Sequence, residues 1–341
     1  MGWTDLFKSK SAKLKPDGAL RWFGKLSTCR DYFNSKVDEE WVSEFNDWVM
    51  KGYEQYHARM ASQSGVALIN AQRESGALKH RNLPFASCIL RLPRSEMTVL
   101  ASIQDYGGDS FGRPFPLCFY VGLPTAQWPG PTADTIGPAL ALLSRLLRLR
   151  DDVVRFERTP SRFESVFGER EFPLDGLDGD TQDSVWRRQI ADVGIDAWFS
   201  GVATALATPD WPVWHRLLGR WGETIRSMDN EAFEATLVFP LAGGVPTAGQ
   251  ICGWLAWLGA RLDLSKRALS LFWSESTEGQ PTYLSVVARS LIEDDFLLIT
   301  PMSEKLTYLD SACALRPAAD EQPPESDSLP QRFHELLGAN G

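Results

Sequence analysis

Gly108-Asp109-Ser110-Phe111-Gly112 satisfies the G-x-S-x-G spacing that exposes a nucleophilic serine on a strained strand-to-helix turn. That geometry needs a helix after the serine. Pro114 and Pro116 follow instead, and proline cannot supply the amide hydrogens of a helix interior. A general base is also required. The candidates are His57, His80, His215 and His334, none in a recognisable setting, so a hydrolase using Ser110 is the minor reading. Gly18 to Gly24-Lys25 misses the phosphate-loop spacing by one residue, and Leu26 stands where a magnesium-binding hydroxyl is needed. The run Asp175-Gly-Leu-Asp178-Gly-Asp180 lacks the alternating oxygen donors and distant glutamate of a calcium loop. It reads as a solvated acidic loop. Asp294-Asp295 and Glu39-Glu40 read as exposed turn and cap residues. The expectation is therefore a chain with no catalytic residues, no metal site and no cofactor.

Asp31, Asp109 and Arg113 are left to explain. An arginine between glycine and proline in an irregular connection can donate to carbonyls that no strand ladder satisfies, and a carboxylate can hold its fork bidentately. The alternative is a polar recognition surface.

These residues must be positioned by a fold, and the periodicities describe one. Trp41, Phe45, Trp48, Val49, Tyr53 and Tyr56 recur at helical spacing behind Asp38-Glu39-Glu40, which predicts a helix over 38–60. Segments 84–92 and 97–103 predict two strands joined at Arg94-Ser95-Glu96. The near-continuous apolar run 115–123 predicts a strand covered on both faces. Thr132 to Arg150 predicts a second helix with a stripe of Ile136, Leu140, Leu143 and Leu147. Further strands are expected near 20–26, from Thr236, at 269–273 and at 283–287. Thr247-Ala-Gly-Gln250 is a capping box that opens a helix with Ile251, Trp254, Leu255, Leu258 and Leu262 on its apolar side.

Strands follow strands more often than they alternate with helices. The expected class is α+β, with a largely antiparallel or mixed central sheet flanked by helices and an added helical segment. The 341 residues are expected to divide into a flexible tail (1–17), a first region (18–150), a mostly helical insertion (151–232), a segment of strands and a helix that completes the fold (233–315) and a mostly disordered tail (316–341).

A net charge of -9 argues against nucleic acid as a partner, and the only basic run is Lys8, Lys10, Lys13 and Lys15. Five scattered cysteines suggest neither a disulfide framework nor zinc. No apolar run approaches the about 18 residues of a membrane span, so a cytoplasmic protein is expected. Thirteen Trp and 18 Phe promise large ring contacts in the core or at an interface.

Two segments together resemble the TagF/ImpM family of type VI secretion accessory proteins. Phe23-Gly24-Lys25-Leu26 agrees with that family's aromatic-Gly-Lys-Leu element. Asp31 and Tyr32 fall at the last two positions of the Pro-Ser-Arg-Gly-Asp-Phe run that follows it, while Ser27, Cys29 and Arg30 depart from it. The family's Asp-x-x-Gly-Arg-x-Phe-Pro-Leu is met throughout by Asp109, Gly112, Arg113, Phe115, Pro116 and Leu117. Phe239–Gly244 and Leu269–Glu275 look like its distal strands, and a tryptophan usual before Phe85-Ala86 is missing. The resemblance implies a non-catalytic cytoplasmic regulator that represses assembly of the secretion machine by binding a forkhead-associated (FHA) scaffold protein. It also implies that Gly24, Lys25, Asp31, Asp109, Gly112 and Arg113 form a protein-binding or structural motif. A structural adaptor of the same apparatus is the alternative.

Overall fold

The computed structural model describes residues 18–26, 32–35, 38–74, 86–105, 115–128, 130–133, 135–156, 165, 167, 236–241, 247–259, 262–264, 267–274 and 282–299. The acidic run 175–180, the tryptophan-rich stretch 186–228 and both tails lie outside these residues.

The first strand, β1 (Arg21–Gly24), is followed by the two-residue β2 (Phe33–Asn34) and the long helix α1 (Glu40–Glu74). Next come β3 (Ala86–Leu92), β4 (Met97–Asp105), β5 (Pro116–Pro124) and α2 (Ile136–Phe156). The last group is β6 (Thr236–Leu241), α3 (Thr247–Gly259), β7 (Ser270–Ser274), β8 (Thr282–Val287) and a 3₁₀ helix over Glu293–Ile299. The eight strands form one sheet in the order β2-β1-β5-β4-β3-β7-β8-β6, and every paired neighbour is antiparallel. The class is α+β, as the sequence predicts.

Side-chain alternation divides the core into two layers. On one face Leu117, Phe119, Val121 and Leu123 of β5 pack with the buried stripes of α2 and α3. On the other, Cys118 and Tyr120 meet Trp41, Phe45, Trp48 and Tyr53 of α1 and the Phe296–Ile299 run of the 3₁₀ helix. β5 is thus buried on both faces, which is why its run is apolar without a period of two. β6 carries Pro240, which has no amide hydrogen for a second partner strand, and β6 is an edge of the sheet.

Three expectations need adjustment. α1 begins at Glu40 and continues to Glu74, beyond the aromatic stripe that made its first half legible. α2 begins at Ile136 because Thr132 and Thr135 cap it reciprocally: each backbone N–H donates to the other's hydroxyl, at 3.0 and 3.3 Å. It continues past Arg150 to Phe156, and its inward stripe uses Leu146 and Leu149, with Leu147 only half-buried. In α3, Cys252 and Trp257 are buried along with the expected side, so the helix is apolar almost all round, as a core helix should be.

Candidate functional site

Pairing of β1 with both β5 and β2 brings the aromatic-Gly-Lys element against Phe115-Pro116-Leu117, although about ninety residues separate them. Gly24 makes the approach possible. Its φ is +150°, and a Cβ there would collide with the Pro116 carbonyl oxygen and lie 2.7 Å from Leu117 Cα. No other residue type fits that backbone. Phe23 and Phe115 then meet edge-on at 5.6 Å between ring centroids, and Tyr32 meets Phe115 edge-on at 4.8 Å. Phe23 and Tyr32 stack at 5.4 Å, and Tyr53 of α1 closes the cluster on Phe115 at 4.9 Å.

Lys25 lies over this cluster. Its Nζ is 5.0 Å from the Tyr32 ring centre and 5.9 Å from that of Phe115, within the range where a ring face attracts a cation. The lysine side chain is buried while Tyr32 is 44% exposed. A buried ammonium held on rings beneath an exposed tyrosine can recognise a surface.

Of the six motif residues expected from the sequence, Gly24 and Lys25 are therefore brought together with the Phe115 strand. Asp31, Asp109, Gly112 and Arg113 lie outside the described residues, as does Ser110. Asp31 directly precedes Tyr32, and Arg113 is two positions before Phe115. His80, His215 and His334 also lie outside, and among the described residues no cluster of His, Cys, Asp or Glu is arranged for a metal ion.

A second feature sits at the opposite end of the sheet, where the residue pattern predicts only the hairpin loop Arg94-Ser95-Glu96. Glu44 of α1 is buried and accepts hydrogen bonds from the backbone N–H groups of Arg94 and Ser95, both at 3.0 Å, fixing the β3–β4 turn. Beside it the 3₁₀ helix docks on α1. Trp48 Nε1 donates to the Ile292 carbonyl at 2.9 Å, and Phe296 fills the space that a side chain at Gly52 would need. The anchor is Asp295. It is fully buried, accepts both Arg289 guanidinium nitrogens at 2.7 and 2.8 Å, and takes the Ile292 N–H at 2.9 Å. The expectation that Asp294-Asp295 is an exposed turn pair is therefore wrong for Asp295. The apolar Phe296-Leu297-Leu298-Ile299 directly after it was the available signal, since such a run must be buried and carries its neighbours inward. Glu39 is likewise engaged, by Arg21 at 2.9 Å and by Trp41 Nε1 at 2.6 Å, whereas Glu40 is exposed.

Between these elements lies a groove of about 490 Å³. Trp48, Leu92 and Ile292 give it an apolar lining, and four carboxylates (Glu44, Asp47, Glu293 and Asp294) face two cations (Lys51 and Arg94). Burial pushes the Cys88 and Cys118 thiols and the Tyr120 phenol up from their ordinary values, Tyr120 being closed in by α1 and bonded to Asn46 Oδ1 at 2.9 Å. These groups are core, and none opens into the groove or onto the Lys25 cluster.

No family profile and no curated protein matches the chain. Among solved structures it is similar to the crystal structure of PA0076 from Pseudomonas aeruginosa PAO1, at 15% identity and a TM-score of 0.32. That match spans 46% of this chain and 64% of the other. Among the described residues no helix is long and apolar enough to cross a membrane.

Proposed function

We propose that this protein is a non-catalytic, cytoplasmic regulator of bacterial type VI secretion. It acts after translation, by binding an FHA-domain scaffold component through the surface around Lys25 and Tyr32 and so repressing assembly. One observation carries the reading. The two segments on which the TagF/ImpM resemblance rests are far apart in sequence, yet Gly24, Lys25, Tyr32 and Phe115 are interlocked at one corner of the sheet. Segments that build a single corner act as a unit, and that corner presents an exposed aromatic over a buried cation, a combination suited to protein recognition. Asp31 directly precedes Tyr32 in sequence, and Arg113 stands two positions before Phe115.

The test is a pull-down from secreting cells with the intact chain and with Tyr32→Ala, Asp31→Ala and Arg113→Ala. The intact chain is expected to recover an FHA-domain secretion component, and each variant to recover less. Recovery of no secretion component, together with unchanged secretion when the gene is deleted, would sink the proposal. Stable stoichiometric recovery of sheath or baseplate proteins would instead favour an adaptor. Labelling of Ser110 by a fluorophosphonate probe would revive the hydrolase.

A further inference from the structure

One residue of α1 touches both the Lys25 corner and the 3₁₀ helix. Tyr53 meets the Phe115 ring edge-on at 4.9 Å between centroids, and the Phe296 ring edge-on at 6.2 Å. Both separations lie in the range where aromatic rings attract each other, and all three rings are buried. On one side Phe115 carries Tyr32 at 4.8 Å and lies 5.9 Å from Lys25 Nζ. On the other, Phe296 packs on Trp48 at 5.5 Å.

Helix spacing gives Tyr53 this place. Trp48, Gly52 and Tyr56 recur at intervals of four, and Tyr53 lies beside them on the same face. Gly52 has no side chain, so Phe296 sits against the α1 backbone where a Cβ would collide with it. That seat sets the Phe296 ring beside Tyr53. It is held by polar bonds at the start of the 3₁₀ helix. Asp295 takes the Arg289 fork, the Ile292 carbonyl takes the Trp48 indole, and Glu293 takes Lys51 and Gln55. The Lys51 and Glu293 side chains are 57% and 44% exposed, so this clasp meets solvent while the ring it seats does not.

We infer that Tyr53 is a positioning residue for the recognition surface, passing the seating of the 3₁₀ helix to Phe115 and so to Tyr32 and Lys25. With Phe296 seated, the Tyr53 ring is pinned and the corner stays closed over the lysine. With the helix lifted, Tyr53 gains room and the corner loosens, while the β1–β5 ladder stays paired. The inference rests on the reading of the corner as the docking surface, but its test needs no partner, so it can fail while that reading stands.

Lys25 reports the state of the corner, because its buried amine is acetylated only when the rings part. Acetic anhydride and mass spectrometry measure the rate, against an N-acetylated synthetic peptide of residues 20–28 in the same tube. The unaltered chain should react about a hundredfold more slowly than the peptide. Tyr53→Leu and Phe296→Leu keep apolar volume but remove a ring, and each should raise the rate about fivefold. Tyr53→Phe keeps the ring and should leave the rate unchanged. The double leucine variant decides between a shared route and two independent weakenings. Independent effects multiply to about 25-fold, whereas a shared route leaves the double no faster than Tyr53→Leu alone. Should a leucine variant not fold, the unaltered chain decides. Across sub-denaturing urea, Lys25 acetylation and amide exchange at Phe296–Ile299 should then rise with the same slope. Equal rates in chain and peptide, no change in either single variant, multiplied rates in the double, Tyr53→Phe as fast as Tyr53→Leu, or unequal urea slopes would each overturn the inference.

Discussion

The Lys25 corner and the Trp48–Ile292 groove both place a lysine beside aromatic side chains, yet they are built by opposite means. At the corner the backbone comes first: Gly24 lets β1 press on Pro116, and the rings and Lys25 are held in the remaining space. In the groove the backbone elements stand apart and are bridged by polar groups, with Glu44 holding the turn and Arg289–Asp295 holding the 3₁₀ helix. A surface made by close packing tolerates almost no substitution and keeps one shape. One made by bridging keeps open volume between its walls. The corner is thus set by backbone contact, and the width of the groove by its polar bridges.

The most severe test of the contrast is Gly24→Ala. A side chain at a φ of +150° that also meets the Pro116 carbonyl should cost about 4 kcal/mol, combining backbone strain with overpacking. The midpoint of urea unfolding measures it. A loss under about 1 kcal/mol would mean the corner is not set by that contact. Arg289→Ala comes next. It leaves the buried Asp295 carboxylate without its guanidinium, a loss of about 3 kcal/mol. Because Asp295 also accepts the Ile292 N–H, the damage should appear as faster amide exchange in residues 290–299 while β1 and β5 keep their protection. Loss of protection in β1 as well would show that the two regions are one cooperative unit.

Alkali should act on neither region but on the sheet between them. Cys88, Cys118 and Tyr120 are held protonated by burial, whereas in the unfolded chain the thiols release their protons near 9.0 and the phenol near 10.0. The unfolded state then binds fewer protons than the folded one, so stability is full below pH 9 and falls as pH rises above it. Each group contributes a slope of up to about 1.4 kcal/mol per pH unit. Denaturant midpoints between pH 7 and 11 test this, and Tyr120→Phe should flatten the fall above pH 10. A flat profile would show that these side chains are not sealed from solvent.

How much of this could be read beforehand follows the same division. The aromatic stripe of α1, the hairpin strands and the doubly buried β5 were legible because burial imposes a period, or removes one, over many consecutive residues. The start of α2 was misplaced because a reciprocal cap spends its first residues outside the helix. The corner was half legible: Gly24, Lys25 and Phe115 stood out, but no local pattern states that β1 pairs with β5. The groove was illegible. Its walls come from residues near 48, 93 and 292, and a lone Asp295 beside a second acid resembles a surface turn until Arg289 is seen to bond it.

The smallest expected effects make the sharpest comparison, since they set lysine against lysine. Lys25→Ala removes a buried cation from two ring faces and exposes part of their surface. It should cost about 1–2 kcal/mol, most of it lost packing and cation–π attraction that salt screens poorly. Lys51 holds Glu293 at 2.8 Å, and that partner raises its pKa, but the pair stands in solvent where water and ions compete for both charges. Lys51→Ala should therefore leave the melting midpoint within experimental error. Melting curves of both variants at low and high salt decide the matter. If Lys51→Ala destabilised as much as Lys25→Ala, the groove would be a packed site like the corner.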